Sequence, residues 1–242
     1  MKPNQQLETS KKIQVQDMFN AISIEYDFIN KLLTFGNDIK WRKRIYKIAK
    51  ANSPKKILDI ATGTADIALE LSKIEGSTII GLDISEKMLD IGRKKILKKN
   101  LSNKITLVSG DAENLNYPSG HFDLVTIGFG VRNFQNLIKG LKESNRILKK
   151  NGKLIILESS VPQNSIIKFL YFMFSRAFVP FIGSIFSKNR LAYNYLQKSA
   201  EKFPCGHVFV SILKECGFKT IYISLKFIYL FLDELLTFIS FF

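Results

Sequence analysis

Short apolar runs alternate with amphipathic segments along this chain from residue 55 onward. Apolar runs of about four to eight residues are typical of buried strands, and apolar positions three and four residues apart are typical of helices. Their alternation predicts βαβ units and a mostly parallel sheet. The predicted strands are Lys56–Ala61, Thr78–Asp83, Ile105–Ser109, Asp123–Gly128, Lys153–Glu158 and Lys219–Lys226. The predicted helices between them are Ala65–Lys73, Glu86–Lys99 (with Ser85 as N-cap) and Leu137–Lys149 (with Gly152 as left-handed C-cap).

Two helical regions flank this alternation. Residues 12–50 carry apolar side chains at helical spacing, namely Val15, Met18, Phe19, Ile22 and Tyr26. Residues 163–217 are predicted to be mostly helical. We therefore predict a single domain over residues 1–242, made of an N-terminal helical cover (12–50), a cofactor-binding core (55–160), a helical substrate cover (163–217) and an atypical C-terminal tail (227–242).

Two apolar stretches are long enough to raise the question of a membrane span. Residues 169–186 contain Arg176, and residues 221–242 contain Asp233 and Glu234. Charges near the middle of a spanning helix are costly. The sequence therefore favours burial, or a surface that faces a membrane, over a spanning helix.

The chain is basic, with a formal net charge of +15. A nucleic acid or an anionic membrane would suit this charge, but so would a merely lysine-rich composition with scattered lysines. Aromatic residues do not interleave with the basic ones, so we expect no nucleic-acid partner.

Cysteines and histidines are few: Cys205, Cys216, His121 and His207. Their spacing matches no metal site, so no metal is expected. The polar residues 1–16 have no apolar core of the kind found in signal peptides, and a cytoplasmic protein is predicted.

Three of the predicted strands carry an acidic residue at or near their ends: Asp59 in the first, Asp83 in the second and Asp111 after the third. Ligands of an open parallel sheet bind at the carboxyl ends of its strands. These carboxylates are therefore expected to face one ligand that is rich in hydroxyls and amines. S-adenosylmethionine has this chemistry, and we predict it as the cofactor.

The turn at residues 61–66 contains one glycine, Gly63. A dinucleotide-binding turn requires three, so NAD and FAD are disfavoured. One glycine still lets a ligand without phosphate lie against the backbone, although an ordinary strand-to-helix turn has the same pattern. Asp83 favours the ligand because it can accept hydrogen bonds from both ribose hydroxyls. Asp111, beside the small Ala112, suits the amine and ring of adenine.

Residues 128–134 follow the fourth strand with an unusual pattern, two glycines around an aromatic residue and then Arg132 and Asn133. Glycine lets the backbone approach a ligand closely. Arg132 is the strong cation expected at this edge of the sheet. Tyr26 can hydrogen-bond a substrate oxygen, but its spacing suits an apolar core face better.

Together these segments resemble the ubiquinone/menaquinone biosynthesis C-methyltransferases over about residues 14–225. The specific part is the Phe-Gly-Val-Arg-Asn segment (129–133), together with Tyr26-Asp27, Asn30 and Trp41-Arg42. Further similarity lies in residues 59–66, 83–85, 88–89, 110–113, 122–123, 146–149, 157–158, 195–196 and 203–204.

The resemblance implies an α/β, Rossmann-like class I methyltransferase fold with a mostly parallel seven-stranded sheet. It implies methyl transfer from S-adenosylmethionine to a ring carbon of a polyprenylated quinol. The implied cofactor contacts are Thr64, Asp83, Asp111 and Ala112, to which the patterns above add Gly63, Asp59 and Gly128.

The chain departs from the family pattern at three places. Gly128 replaces a serine of many relatives, so only backbone can contact a ligand there. Ala65 replaces a glycine, which is tolerable if its φ is negative. The sequence after Lys226 matches nothing in the family, so the seventh strand is expected to be absent or rebuilt.

Methyl transfer to a ring carbon requires positioning and control of charge. We assign Arg132 to stabilise the quinol anion, and Tyr26 and Asn133 to orient the hydroxyl or a water. The base is left open, and no metal is required. The prenyl chain is expected to follow residues 166–186, which would rest on the inner face of the cell membrane.

Two quinols compete as the substrate. The segments Ala61–Asp66 and Leu157–Pro162 are more like those of menaquinone-only members, so demethylmenaquinol is favoured. The alternative is 2-methoxy-6-polyprenyl-benzoquinol of ubiquinone biosynthesis. The unusual tail also suggests an inactive, membrane-associated protein that still binds S-adenosylmethionine.

Overall fold

Strands and helices alternate in the computed structural model much as the apolar pattern predicts. The structure describes residues 1–161, 164–166, 168–173, 176, 189–204, 206–226 and 234–241. The helices are α1 (Lys11–Leu33), α2 (Asn37–Lys50), α3 (Asp66–Leu71), α4 (Glu86–Lys98), α5 (Leu137–Ile147), α6 (Arg190–Lys202) and α7 (Gly206–Glu215). The strands are β1 (Lys56–Ile60), β2 (Thr78–Asp83), β3 (Ile105–Ser109), β4 (Phe122–Gly128), β5 (Leu148–Ser160), β6 (Thr220–Lys226) and β7 (Glu234–Phe241).

The seven strands form one sheet in the order β3-β2-β1-β4-β5-β7-β6. Strands β1 to β5 are parallel, and β7 is antiparallel to both of its neighbours. The parallel strands all end at the same edge of the sheet. The segments that follow β1, β2, β3 and β4 are therefore neighbours there, which is the arrangement that places a ligand site.

Both faces of the sheet are buried, which explains the continuous apolar runs. Along β1, Ile57 packs on one face beside Trp41 of α2, and Leu58 packs on the other beside Leu141 of α5. Burial of a large apolar side chain contributes about 1.5–3 kcal/mol. The two layers are therefore the main source of stability.

Helix α1 belongs to a separate apolar cluster. Val15, Met18 and Ile22 are buried against Met88 of α4 and Tyr193 of α6. This confirms the predicted apolar face in part. Its two aromatic members, Phe19 and Tyr26, line cavities of the site described below.

The structure confirms Ser85 as the N-cap of α4, since its Oγ accepts the Met88 N–H. It differs from the prediction after α5, where β5 begins at Leu148 rather than at Lys153. Asn151 has the left-handed conformation (φ 65°), and Gly152 does not. Gly152 is suited to this place for another reason, because a Cβ there would lie 2.8 Å from the Lys149 carbonyl oxygen.

The C-terminal tail contains a strand, so the seventh strand is rebuilt from residues that do not match the family rather than absent. Strand β7 pairs with β5 on one side and β6 on the other, with Ile239 opposite both Ile155 and Tyr222. Ladder hydrogen bonds join backbone groups and do not depend on family-specific side chains. Apolar residues with β propensity can therefore complete the sheet. Residues 227–233 lie outside the described residues.

Within the part of the chain that the structure describes, no helix is both long enough and apolar enough to cross a membrane. The apolar stretch 221–242 supplies β6 and β7 instead. Residues 177–186 of the other stretch lie outside the described residues, as does much of the expected prenyl path over 166–186.

Candidate functional site

Three of the five residues in the turn between β1 and α3 have positive φ. The φ angles are 54° at Ala61, 55° at Gly63 and 68° at Ala65. An alanine in place of the family's glycine was expected to be tolerable at position 65 if its φ were negative, but the φ of Ala65 is positive. An L-residue in this region costs about 1–2 kcal/mol. Strain of this kind is found at ligand-binding turns, where the surrounding structure holds it in place.

Asp83 ends β2 and faces this turn. Its Oδ2 accepts the Gly63 N–H at 2.8 Å, and its Oδ1 accepts the Ser85 N–H at 2.9 Å. Burial raises the pKa of Asp83, while these two N–H groups oppose the increase. Each carboxylate oxygen retains a second lone pair, so the side chain can accept two further hydrogen bonds from a ligand.

A first cavity lies beside Asp83 and encloses about 690 Å³, including its open mouth. This volume is in the range of small-molecule sites. Five of the expected cofactor residues line it: Gly63, Asp83, Asp111, Ala112 and Gly128. Helix α1 contributes Lys12, Val15 and Phe19 to its wall.

Asp111 lies at the rim of the first cavity, after β3. Its Oδ1 accepts a hydrogen bond from the Glu113 N–H at 2.9 Å, and its Oδ2 accepts a hydrogen bond from the Lys12 ammonium at 2.6 Å. Glu113 Oε1 in turn accepts the N–H groups of Gln135 and Asn136 at 2.6 and 3.0 Å. The loops after β3 and β4 are thereby fixed to each other.

Asp59 has a different place from the other expected cofactor residues. Its side chain is fully buried beneath the turn between β1 and α3, and it lines neither the first cavity nor the second one described below. The hydroxyls of Thr62 and Thr126 each donate to its carboxylate at 2.6 Å. Burial raises the pKa of Asp59 to about 6. Its contacts are those of a residue that supports the turn.

A second cavity, of about 1460 Å³ including its open mouth, lies on the other side of the turn. Thr64 and Arg132 line it. The two cavities meet at a set of shared residues, which are Tyr26, Ala61, Gly63, Gly128 and Phe129. A group bound at this junction is within reach of ligands in both cavities.

One end of the second cavity carries a network of charges. The Thr64 hydroxyl donates to Asp27 at 2.6 Å and accepts from Lys95 at 2.9 Å. The Lys95 ammonium is also 2.6 Å from the Asp27 carboxylate and 2.7 Å from that of Asp66. The Arg42 guanidinium lies 3.1 Å from the same Asp66 carboxylate. The network joins α1 and α2 to the core at Thr64, which is buried and lines the cavity.

The loop after β4 has little room for side chains. A Cβ at Gly130 would lie 2.5 Å from Ala61 Cβ, and a Cβ at Gly128 would overlap Ile67 Cδ1. Phe129 between them has a φ of 55°. Ile67 thus occupies the space of a side chain at position 128, and the loop presents backbone to both cavities.

Arg132 pairs with Glu158, a partner that the sequence analysis did not assign to the site. Nη1 of Arg132 donates to Oε1 of Glu158, whose side chain is only 1% exposed. Burial raises the pKa of Glu158, and the charge of Arg132 opposes this increase. The Nε group of Arg132 is buried and has no hydrogen-bond partner among the described residues.

Asn133 and Tyr26 occupy different positions. The Asn133 amide is held by Tyr195, whose hydroxyl donates to Oδ1 at 3.2 Å, and by the Phe129 carbonyl at 3.3 Å. Burial raises the pKa of Tyr195 to about 12. Tyr26 lies at the junction of the cavities, and burial raises its pKa while Asn30 opposes the increase.

Sequence reasoning missed several side chains of the site, namely Lys11, Lys12, Phe19, Lys95, Glu113, Glu158 and Tyr195. Most of them reach the site across long stretches of chain; Lys12 and Asp111 are 99 positions apart. A lysine that faces solvent and a lysine that lines a cavity have the same pattern of neighbouring residues in the sequence. Only the apolar face of α1 indicated that this helix packs on the core.

Comparison with known proteins gives a family match over residues 6–227, to the ubiE/COQ5 methyltransferase family. A demethylmenaquinone methyltransferase of Bacteroides fragilis is 38% identical over 87% of this chain and 86% of its own length. One of Staphylococcus saprophyticus is 40% identical over 88% and 91%. A ubiquinone/menaquinone biosynthesis C-methyltransferase UbiE of Geotalea uraniireducens is 39% identical over 88% and 91%.

Solved structures share the fold at low sequence identity. A putative S-adenosyl-L-methionine-dependent methyltransferase of Methanococcus maripaludis has a TM-score of 0.64 and 21% identity, over 92% of this chain and 93% of its own. Phosphoethanolamine N-methyltransferase 2 of Haemonchus contortus, solved in complex with S-adenosyl-L-methionine, has a TM-score of 0.53 and 20% identity, over 71% and 34%.

Proposed function

The chain belongs to the ubiE/COQ5 methyltransferase family, and from this premise we propose that it methylates a ring carbon of demethylmenaquinol to give menaquinol. It is an S-adenosylmethionine-dependent methyltransferase. Relatives named demethylmenaquinone methyltransferase, at 38–40% identity, support this quinol as the substrate. The observation that carries the proposal is the junction at Tyr26, Gly128 and Phe129, where two ligand cavities meet.

The residues of the first cavity suit S-adenosylmethionine. Asp83 has free lone pairs for the two ribose hydroxyls. Asp111 can accept from the adenine amine, beside the small Ala112. Thr64, at the charged end of the second cavity, would hold the amino-acid end of the cofactor. The cofactor would then cross the junction between the cavities.

The apolar part of the second cavity suits the quinol ring. Leu33, Trp41, Ile67, Leu157 and Leu196 line it. Apolar walls with a few polar groups are the common form of a small-molecule site. Tyr171, at the start of the apolar stretch expected to carry the prenyl chain, also lines this cavity.

When bound, S-adenosylmethionine supplies a methyl group on a positively charged sulfur. The protein has to hold the quinol oxygen and favour its deprotonated form, whose parent phenol has a pKa of about 10. Arg132 remains protonated and lines the quinol cavity, so it can stabilise that oxygen by hydrogen bonds. Tyr26 orients the quinol hydroxyl at the junction, and Asn133 keeps the loop in place.

We propose further that the protein is cytoplasmic and binds peripherally to the inner face of the cell membrane. A polyprenylated substrate is dissolved in lipid, and the net charge of +15 favours anionic headgroups. Sedimentation with anionic and neutral vesicles at low and high salt tests this. If the protein fails to bind anionic vesicles both at low and at high salt, the proposed membrane association is contradicted.

The benzoquinol of ubiquinone biosynthesis is the second candidate substrate, and the name of the Geotalea relative favours it. The hypothesis of an inactive protein depended on the unusual tail. Strand β7 is present between β5 and β6 and completes the sheet, so that reason no longer holds.

The test is transfer of label from S-adenosylmethionine to short-chain demethylmenaquinol by the purified protein. Labelled menaquinol is the expected product. A parallel reaction with the benzoquinol distinguishes the two substrates. Binding of S-adenosylhomocysteine without transfer to either quinol would contradict the proposal.

A further inference from the structure

Two adjacent lysines at the start of α1 contact two different loops that border the first cavity, although only Lys12 itself lines it. Lys12 forms an ion pair with Asp111, after β3, at 2.6 Å. Lys11 turns to the loop after β4, where its ammonium donates to the carbonyl oxygens of Arg132 at 2.8 Å and Phe134 at 2.6 Å. One turn of helix therefore joins two loops that belong to different strands.

The loop of residues 130–136 is held between charges of opposite sign. Lys11 binds two of its carbonyl groups, and Glu113 binds the N–H groups of Gln135 and Asn136. Burial lowers the pKa of Lys11, while the nearby carboxylate of Glu113 opposes this. Charge-assisted hydrogen bonds of this kind are about twice as strong as neutral ones.

Arg132 is consequently fixed at both ends. Glu158 holds its guanidinium, and Lys11 holds its backbone carbonyl. Loss of the Lys11 ammonium would leave the two partly buried carbonyls without this donor. A displacement of about 1 Å at a reacting group can lower a rate about 100-fold.

We propose that Lys11 is a positioning residue for methyl transfer, which holds the Arg132 loop in register with the α1 wall of the cofactor cavity. Lys12 has a separate role on the cofactor side, through Asp111. The activity arm of this inference rests on the proposed function, and its structural arm does not. The adjacent lysines thus give two variants of the same chemistry at neighbouring positions.

The experiment compares Lys11→Met, Lys11→Arg and Lys12→Met, with Lys98→Met on the exposed end of α4 as control. Steady-state methylation gives kcat and the KM for S-adenosylmethionine. Hydrogen exchange, measured without quinol, follows the amides of Asn133 and Phe134, which donate to Gly130 and Val131. Amides of β2 serve as the internal reference.

Lys11→Met should lower kcat at least about ten-fold with little change in KM, and should speed exchange of the loop amides at least about ten-fold. Lys11→Arg should restore most of both. Lys12→Met should instead raise the KM for the cofactor and leave the loop amides protected. If Lys11→Met fails to fold, Lys11→Gln, which keeps a neutral donor, takes its place.

Unchanged exchange of the loop amides in the Lys11 variant would overturn the inference. The inference would also be overturned if the changes of kcat and KM in Lys11→Met were the same as those in Lys12→Met. Lack of transfer by the wild-type protein to either quinol would count against the proposed function alone, because the exchange measurement still decides the role of Lys11.

Discussion

The guanidinium of Arg132 is paired with the carboxylate of Glu158, which is buried at the end of β5. The pair is formally neutral while Glu158 is ionised. In the proposed function, Arg132 would therefore offer the quinol oriented N–H donors and not an isolated charge. Removal of one partner from a buried pair costs about 3–5 kcal/mol of stability, so the effects on turnover and on folding must be separated.

We expect Arg132→Ala to lower kcat about 100-fold or more, as does loss of a donor to a developing anion. The Kd for S-adenosylhomocysteine should change far less, because Arg132 lines the second cavity and not the first. The double variant Arg132→Met with Glu158→Gln leaves no unpaired buried charge and should recover Tm without recovering turnover. Arg93→Ala, an exposed ion-paired arginine, is the control. Equal losses in kcat and cofactor affinity would contradict this role.

Asp83→Asn should weaken binding of S-adenosylmethionine at least about ten-fold. The carboxylate accepts two backbone N–H groups, and an amide has a single acceptor oxygen, so one N–H loses its partner. Isothermal calorimetry measures the Kd. Asp90→Asn on the exposed face of α4 should bind normally. An unchanged Kd for Asp83→Asn would exclude Asp83 as the ribose contact.

Two fully buried alanines, Ala65 and Ala68, allow the strain of the first turn to be measured. Ala65 has a φ of 68°, whereas Ala68 lies inside α3. Replacement by glycine removes one methyl in each case, but only Ala65→Gly relieves a left-handed alanine. We expect Ala65→Gly to cost about 1 kcal/mol less than Ala68→Gly, from urea unfolding. Equal costs would mean that the turn is not strained at Ala65.

Asp59 should make stability fall as pH rises. Its folded pKa is about 6, above the unfolded value of 3.8, so between these values the folded state keeps a proton that the unfolded chain has lost. The free energy of unfolding should decrease by about 3 kcal/mol over the whole titration of this group, about 2 kcal/mol of it between pH 4 and pH 6, and should stay constant above about pH 7. Urea unfolding of Asp59→Asn at several pH values should lack this decrease.

Asp123 provides a control of opposite sign. Burial acts against ionisation there, but hydrogen bonds from Lys149, Lys55 and Lys56 outweigh it and lower the pKa of Asp123. Its stabilisation is present above the unfolded pKa and is lost as pH falls through the folded pKa. Asp123→Asn should therefore lose stability at neutral pH. A decrease with pH that persists in Asp59→Asn would assign the effect to another group.

The sequence by itself determined the parallel sheet and the order of its strands along the chain. Strand β2 begins and ends as predicted, at Thr78 and Asp83. Periodicity shows where a strand is buried, and Asp83 follows its apolar run directly. Because parallel strands have their carboxyl ends at the same edge of the sheet, Asp83, Asp111 and Gly128 are expected at one edge without further information. All three line one cavity.

The tertiary structure decided which side chains from outside this edge complete the site. Lys11 and Glu158 contact the Arg132 loop across long separations in sequence, and their local patterns are those of ordinary helix and strand positions. The positive φ of Ala65, at the N-cap position of α3, is likewise a feature of the folded turn. The last strand, too, depends on backbone groups of β5 and β6, which pair with any chain of suitable shape. Local patterns record what each segment buries, whereas contacts between distant segments depend on how the packed elements are oriented.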